Sequence, residues 1–400
     1  MPLHPDSVAV HAGRGDLRGL GVHAPPIDLS TTYPFERLDD AVASLDAMMA
    51  GGGPAEAGGA VYSRLHSPTV ARFEAGYAEV EGAEAGVAFA SGMAAITAVL
   101  LAARAEGKGH VVGVRPTYGT TDRLLSSGLL GLEVTWTTAG GVAEAVRDDT
   151  ALVHVETPVN PTLDLVDVAA VVEAAGSAPV CVDSTFGTPV LQHPLAQGAA
   201  LVWHSATKFI GGHGDVLAGV VGCSEAWAAR LRLVRILTGA VLAPQGAYLL
   251  HRGLATLPLR VERAQATATA LAGRLVEHPG VGRVYHPSVE GRDGGLVGAG
   301  RQMCGPGPML SFEVLGPDGE ADGAGASEAA SAFLGRLRLA TAAVSLGSTD
   351  TLAQHPAGLT QRAAGGAGGV AAGLVRVSVG LEAEADLWDD VRRALEPAAG

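Results

Sequence analysis

Short apolar runs alternate with longer helical stretches through the first two thirds of this 400-residue chain, and this alternation constrains the fold more than any other feature. Runs of strand length separated by helices are typical of βα units, whose mostly parallel sheet is covered by helices on both faces. Helices are predicted over 165–175, where Asp167 can cap the apolar segment, and over 225–237. The predicted strands are 86–90, 110–114, 132–136, 151–156, 180–183, 200–205 and 217–223.

Beyond residue 250 the pattern becomes that of a smaller α+β domain. The predicted elements there are helices over 257–277 and 327–338 and strands over 309–315, 340–345 and 374–379. Glycine-rich segments are expected to form loops, the first of them flexible: 51–60, 291–307, 316–326 and 363–373. We place the α/β domain at 61–253 and the C-terminal domain at 254–400.

The composition excludes several classes of partner. The net charge is −14 and lysine and arginine form no cluster, which argues against nucleic acid and membrane surfaces and favours small-molecule chemistry. Ala85–Ala103 is uncharged, but Ser91 and Gly92 interrupt it, so a strand, a turn and a helix are predicted instead of a membrane span. The three cysteines form no CxxC pair, the histidines form no HExxH pattern, and the N-terminus has no basic region before an apolar stretch. We therefore expect a cytoplasmic protein without a metal site.

Lys208 lies in the segment HSATKFIGGHGD (204–215) and is one of only two lysines, the other being Lys108. A lysine removed from water can lose its proton and attack a carbonyl, whereas the guanidinium of arginine stays protonated. The alternative is an ordinary solvated lysine. The residues around Lys208 distinguish between a reactive and a solvated lysine.

Polar residues gather where the predicted strands end. Glu156, Asp183 and Ser205–Lys208 would lie at the carboxyl edge of the sheet, where open α/β sheets bind ligands. A carboxylate at the end of an apolar strand needs a strong partner, such as a protonated ring nitrogen, although Asp183 taken singly could equally cap a turn.

A second group of residues could bind a phosphate. Ser91, Gly92 and Met93 form a strand-to-helix junction, where free backbone N–H groups and the helix dipole favour an anion. Such a turn is most often only structural. The hydroxyls of Ser205 and Thr207, next to Lys208, could bind the same phosphate, and the set then describes a pyridoxal phosphate site.

Many ordered sequence blocks carry a resemblance to one family. They include VHAG (10–13), PPI (25–27), TTY (31–33), YSRLHSPT (62–69), SGMAA (91–95), TYG (117–119), ETPVNP (156–161), VDSTFGTP (182–189), HSATKFIGGHGD (204–215), RGLATL (252–257), RQM (301–303), SFEV (311–314), SLGSTDTLAQHPAGLT (345–360) and GLVRVSVGLE (373–382). In these blocks the sequence resembles the Cys/Met-metabolism pyridoxal phosphate enzymes over nearly its whole length. The resemblance implies the type I (aspartate aminotransferase-like) fold of such enzymes.

The resemblance also implies how the cofactor would be held. Lys208 would form the Schiff base and move protons between substrate carbons, and Asp183 would pair with the pyridine nitrogen. The backbone of Gly92 and Met93 would bind the phosphate together with Ser205 and Thr207.

The resemblance also implies roles for three aromatic and cationic residues. Tyr118 would stack on the cofactor ring and act as acid or base, the alternative being a core aromatic. Tyr62 and Arg64 would reach the phosphate of a neighbouring subunit, although a surface arginine could simply form an ion pair. Residues 1–60 would form an arm that contacts that subunit, in a homotetramer built as a dimer of dimers.

The remaining implied residues concern the substrate. Arg376 would clamp the amino-acid carboxylate, the alternative being a structural salt bridge. Ser345 would orient the lysine or the substrate, Asn160 would contact the cofactor, and Glu156 could be a structural hydrogen-bond acceptor. Ser67 and Ser184 stand where the family often has asparagine, so local hydrogen bonds must differ.

The implied reaction is γ-elimination from a sulfur amino acid, which yields 2-oxobutanoate, ammonia and a thiol. Thr120 replaces a cysteine frequent in methionine-cleaving members, and Val344 replaces a glutamate frequent in cystathionine-handling members, so the two clues disagree. A γ-replacement transferase shares the same site and stays open as an alternative. A phosphate- or nucleotide-binding protein without catalysis is the alternative from another class, but neither GxGxxG nor GxxxxGK[ST] occurs at the Ser91 turn.

Overall fold

A seven-stranded sheet forms the core of the larger part of the molecule. The computed structural model describes residues 3–359 and 370–396. The strands of this sheet are β1 (Ala85–Phe89), β2 (His110–Val114), β3 (Glu133–Thr137), β4 (Thr150–Glu156), β5 (Val180–Asp183), β6 (Leu201–His204) and β7 (Gly219–Cys223). Their order is β1-β7-β6-β5-β4-β2-β3, and only β7 runs antiparallel to its neighbours. The predicted, mostly parallel sheet is therefore confirmed.

Burial explains why these strands could be read from the sequence. Every residue of β1, β2, β4, β5, β6 and β7 is buried, whereas the edge strand β3 is partly exposed. A strand covered on both faces has no polar side to alternate with, so its sequence is a continuous apolar run.

Helices cover both faces of the sheet. The described helices are α1 (Pro5–His11), α2 (Leu38–Met49), α3 (Pro68–Glu81), α4 (Gly92–Arg104), α5 (Gly119–Ser126), α6 (Val142–Ala145), α7 (Val168–Ala175), α8 (Thr188–Leu191), α9 (Glu225–Thr238), α10 (Pro244–Leu254), α11 (Leu257–Val276), α12 (Ala324–Arg336) and α13 (Glu384–Leu395). On one face, α4 and α9 pack on the sheet through Ile96, Leu100 and Leu231. On the other, α7 packs through Val168 and Val171.

A smaller five-stranded sheet follows in the C-terminal part. Its strands are β8 (Val281–Tyr285), β9 (Met309–Val314), β10 (Thr341–Ala342), β11 (Leu352–Gln354) and β12 (Leu374–Ser378), in the order β10-β11-β12-β9-β8. Helices α11, α12 and α13 cover it through Leu271, Phe333 and Leu387. The predicted second α+β unit is confirmed.

Several element boundaries differ from the prediction. The strand predicted over 340–345 has only two residues, and Ser345, three positions beyond its end, adopts a left-handed backbone with φ of 83° that an extended strand does not contain. The helix predicted over 165–175 begins at Val168, since the side chain of Asp167 caps it by accepting the N–H of Ala170. Helix α12 begins three residues earlier than predicted, so it includes the last three residues of the predicted loop 316–326.

The N-terminal and glycine-rich segments show further features. Segment 51–60 contains no helix or strand, and a Cβ atom at Gly51 would collide with the backbone of Ala229 in α9. Of the predicted loop 363–373, residues 363–369 lie outside the described residues. Among the residues described, no helix is long and apolar enough to cross a membrane.

Candidate active site

Three neighbouring strands end at one edge of the large sheet and bring the predicted site together. Glu156 ends β4, Asp183 ends β5, and the segment with Lys208 follows β6. Glu156 and Asp183 are register partners, so their side chains lie on the same face. This edge is the carboxyl edge that the sequence pattern indicated.

Lys208 has the surroundings of a reactive amine. Its Nζ donates a hydrogen bond of 2.7 Å to Oγ of Ser345. Burial, and secondarily the positive charge of Arg376, lower the pKa of Lys208 to about 8. A larger fraction of the amine is therefore neutral near physiological pH than in an ordinary lysine.

Asp183 is a buried carboxylate that is only half satisfied. Its Oδ1 accepts the N–H of Thr185 at 3.0 Å and the hydroxyl of the same residue at 2.6 Å. Its Oδ2 accepts no hydrogen bond from the described residues. Burial raises the pKa of Asp183 to about 6. A cationic N–H donor at Oδ2 would stabilise the ionised form.

The start of α4 supplies backbone donors for an anion. The side chain of Ser91 caps the helix by accepting the N–H of Ala94, while Gly92 and Met93, the first two helical residues, have N–H groups without a partner inside the helix. A Cβ atom at Gly92 would lie 3.0 Å from Oγ of Ser205, so the glycine lets the serine hydroxyl approach the helix terminus. These donors fit a phosphate.

Thr207 differs from the other predicted phosphate donors. Its hydroxyl donates to the carbonyl of Ala218 at 3.2 Å and accepts the N–H of Ala218 at 2.9 Å. Thr207 could donate to a phosphate only if its hydroxyl proton turned away from Ala218.

Glu156 connects two of the predicted site residues. Its Oε2 accepts the backbone N–H of Tyr118 at 2.5 Å and the hydroxyl of Thr117 at 3.1 Å, and its Oε1 accepts the N–H of Asn160 at 2.9 Å. Burial, together with the negative charge of Asp183, raises the pKa of Glu156 to about 8. Tyr118 itself is 43% exposed, so its ring is not part of the core.

Arg376 is a buried cation whose described partners are all neutral. Its Nη1 donates to Oδ1 of Asn160 at 2.9 Å, and its Nη2 donates to the carbonyl of Ser345 and to Oε1 of Gln354. Its Nε is buried without a partner, and no acidic residue forms an ion pair with it in the described ranges 3–359 and 370–396. Burial lowers the pKa of Arg376 to about 10. The guanidinium is thus available for a substrate carboxylate.

Tyr62 and Arg64 lie apart from this group. Nη1 of Arg64 donates to the carbonyl of Ile236 near the end of α9, and the guanidinium carbon lies 5.4 Å from the centre of the Tyr62 ring. Neither residue has a hydrogen bond to Lys208 or Asp183 among the described contacts of this chain.

One feature of the site was missed by sequence reasoning. Arg260 in α11 donates to the carbonyls of Phe209 and Gly253, each at 2.7 Å, and so supports the turn after Lys208 from the C-terminal part. No local pattern signals such a long-range contact. At the two positions where serine replaces asparagine, Ser184 accepts a hydrogen bond of 2.9 Å from Nε2 of Gln192, whereas the buried hydroxyl of Ser67 has no partner among the described residues.

The residues present fit pyridoxal phosphate. An amine of lowered pKa, a carboxylate with one free oxygen, a helix terminus with free N–H groups and a guanidinium without an anionic partner are the groups that this cofactor and an amino acid need. When bound, the cofactor supplies an aldehyde for the amine and an electron sink for the substrate. The fold and the site define a pyridoxal-phosphate-dependent enzyme of the type I fold.

Comparison with known proteins identifies the family. The family model described as Cys/Met metabolism PLP-dependent enzyme matches residues 6–396, so the chain belongs to this family. It is 51% identical to an L-methionine gamma-lyase from Brevibacterium sandarakinum, over 98% of both chains. It is 40% identical to a cystathionine gamma-lyase from Bacillus subtilis, over 84% of this chain and 88% of the relative.

A solved structure gives the same result for the fold. Cystathionine gamma synthase from Xanthomonas oryzae pv. oryzae superposes with a TM-score of 0.87 at 34% identity, covering 99% of this chain and 98% of that structure. The cofactor and the γ-elimination type of lyase chemistry expected from the sequence are confirmed by the family and its relatives.

Proposed function

We propose that this lyase cleaves the γ-carbon–sulfur bond of L-methionine and, with consumption of one water, releases methanethiol, ammonia and 2-oxobutanoate. The observation that carries the proposal is the short contact between Lys208 Nζ and Ser345 Oγ, next to the guanidinium of Arg376, which donates to the carbonyl of Ser345. The relative named L-methionine gamma-lyase at 51% identity favours methionine over cystathionine. Val344 also favours it, since this exposed apolar side chain offers no charge to the distal amino acid of cystathionine.

Each residue has one physical task in this proposal. Arg376 binds the substrate carboxylate, which pairs its free Nε. The neutral amine of Lys208 removes the α-proton, and Asp183 keeps the ring nitrogen protonated. Tyr118 would stack on the cofactor ring and would protonate the departing sulfur.

The other site residues hold the cofactor. The N–H groups of Gly92 and Met93 bind the phosphate together with the hydroxyl of Ser205, and Thr207 joins them once its proton is turned. Asn160 contacts the cofactor while it also orients Arg376.

A second subunit completes the site in this proposal. Tyr62 and Arg64 would serve the neighbour's phosphate, and residues 1–60 would form the arm between subunits of a homotetramer. This is supported by exposed apolar side chains on the arm that a second copy would bury: Ile27, Leu29, Phe35, Leu38 and Val42.

We place the cofactor domain at 61–253 and the C-terminal domain at 254–400. A cytoplasmic location agrees with the free cysteines Cys181, Cys223 and Cys304.

Product analysis tests the proposal. The purified enzyme with pyridoxal phosphate is incubated with L-methionine, with L-cystathionine, or with an O-acylhomoserine plus a thiol, and products are identified by mass spectrometry. We expect methanethiol and 2-oxobutanoate from methionine, none with Lys208→Ala, and unchanged amounts with Lys108→Ala as the matched control. A thioether formed from the O-acylhomoserine, without keto acid from methionine, would instead establish a γ-replacement transferase.

A further inference from the structure

The carboxylate of Glu156 holds together two loops that follow different strands. The loop after β2 contains Tyr118, the loop after β4 contains Asn160, and the backbone N–H groups of both residues point at this carboxylate. Each oxygen takes one of the two N–H groups, and Thr117 adds a hydroxyl to Oε2. The relative position of the two loops therefore depends on one side chain.

This link extends to Lys208 through an unbroken series of hydrogen bonds. Asn160 accepts Nη1 of Arg376 through its side-chain oxygen, Arg376 donates to the carbonyl of Ser345, and Ser345 accepts Nζ of Lys208. The proposed acid–base tyrosine, the carboxylate clamp and the lysine thus belong to one network, in which Glu156 is the connection to the tyrosine.

The position requires a hydrogen-bond acceptor at each of the two side-chain oxygens, because each oxygen accepts one backbone N–H. A carboxyl group can present both oxygens as acceptors, whereas a glutamine would turn an NH₂ group towards one of the N–H groups. Burial of a carboxylate beside Asp183 is costly, and an apolar side chain would fill the same space without that cost. What only the carboxylate can do here is hold two loop N–H groups at once.

We propose that Glu156 is a positioning residue that sets the place of the Tyr118 side chain relative to Arg376. It does so by fixing the backbone at Tyr118 and Asn160, and it does not touch the substrate. The inference rests on the role of Tyr118 in the proposed function.

Hydrogen exchange of the apoprotein tests the positioning without any catalysis. In Glu156→Gln, amide exchange measured by mass spectrometry is expected to be faster by about tenfold or more in peptides that contain Tyr118 or Asn160. Peptides of α7 should be unchanged. The matched control is Glu144→Gln, an exposed glutamate on α6. Equal exchange in Glu156→Gln and wild type would overturn the proposal.

Kinetics of the holoenzyme test whether Glu156 acts through the tyrosine. We expect Glu156→Gln to lower kcat/KM for methionine by about 30-fold, and the double variant with Tyr118→Ala, which removes both the ring and the hydroxyl, to be no worse than Tyr118→Ala alone. Additive losses would overturn the proposal, because Glu156 would then act by another route. If Tyr118→Ala keeps full activity while exchange still rises in Glu156→Gln, the proposed role of Tyr118 fails and the loop contact stands.

A second variant guards against misfolding. Glu156→Asp keeps the charge but is one methylene too short to reach both N–H groups, so it should show the same faster exchange with a normal circular dichroism spectrum. Thr117→Val removes only the hydroxyl donor and should lose less than threefold in kcat/KM. Wild-type exchange and activity in Glu156→Asp would contradict the proposal.

Discussion

The Nζ atom of Lys208 lies 2.7 Å from Oγ of Ser345, a residue held in a left-handed backbone conformation with φ of 83°. A non-glycine residue in this region carries strain of about 1 kcal/mol or more. The strain is retained at the point where the serine hydroxyl meets the lysine and the serine carbonyl meets Arg376. The strained backbone of Ser345 therefore lies at the proposed active site.

Replacement of Ser345 by glycine should separate stability from activity. Glycine adopts positive φ freely, so Ser345→Gly is expected to raise the melting temperature slightly, while loss of the hydroxyl lowers kcat/KM by about tenfold. Ser345→Ala keeps the strain and should lose the same activity without the gain in stability. Differential scanning calorimetry and steady-state kinetics measure both effects, and a fully active glycine variant would show that the hydroxyl has no role.

The rate of cofactor uptake should report the lowered pKa of Lys208. Only the neutral amine can attack the aldehyde, so the rate for the apoprotein should rise about tenfold per pH unit below pH 8 and level off above it. Nα-acetyl-lysine, the control, should keep accelerating towards pH 10. In Arg376→Gln the pH at which the uptake rate levels off should be higher, because a positive charge that lowers the pKa of Lys208 is gone. A rate that still rises steeply above pH 9 in the wild type would contradict this account.

Asp183 should destabilise the apoprotein at neutral pH. Its folded pKa of about 6 exceeds the unfolded value of 3.8, so the native state binds more protons between these values and stability falls as pH rises through that range. Asp183→Asn removes this penalty. Its apoprotein should therefore unfold with a free energy about 3 kcal/mol above wild type at pH 8 and nearly equal to it near pH 4. Urea unfolding at both pH values checks this, and the variant should bind cofactor more weakly.

Mixing two inactive variants should restore activity if sites are shared between subunits. Arg64→Ala and Lys208→Ala are each expected to be nearly inactive. In a mixed dimer one site would combine the intact Lys208 of one subunit with the intact Arg64 of the other. Random reassortment of equal amounts should thus recover about a quarter of wild-type activity. No recovery, with mixed dimers verified by native mass spectrometry, would mean that each chain forms its site alone.

The sequence predicted those parts of the fold where burial alone determines the residue pattern. All seven strands of the large sheet were predicted, and six of them are buried along their whole length and therefore apolar throughout, whereas the edge strand β3 is partly exposed. Helix α10 was missed, since its sequence contains two glycines and it packs against α3, which is distant in sequence. The prediction extended strand β10 too far, to Ser345, whose positive φ no local pattern reveals.

The candidate site likewise contains residues that the local sequence predicts and contacts that it does not. Lys208, Asp183 and the Gly92 turn carry their chemistry in local sequence and fall together at the strand ends. The hydrogen bonds of Glu156 join residues from separate loops, so its role became visible only when Tyr118 and Asn160 were seen on the same carboxylate. The hydrogen bond from Arg260 to the carbonyl of Phe209 joins residues 51 positions apart, so the local sequence did not predict it either.

The central claim is that Lys208 binds the cofactor covalently. Borohydride reduction of the holoenzyme, followed by proteolysis and mass spectrometry, locates the reduced adduct. The account predicts one pyridoxyl phosphate group on the peptide that contains Lys208 and none on the peptide with Lys108, the only other lysine. An adduct on Lys108, or a protein that takes up no cofactor, would contradict it.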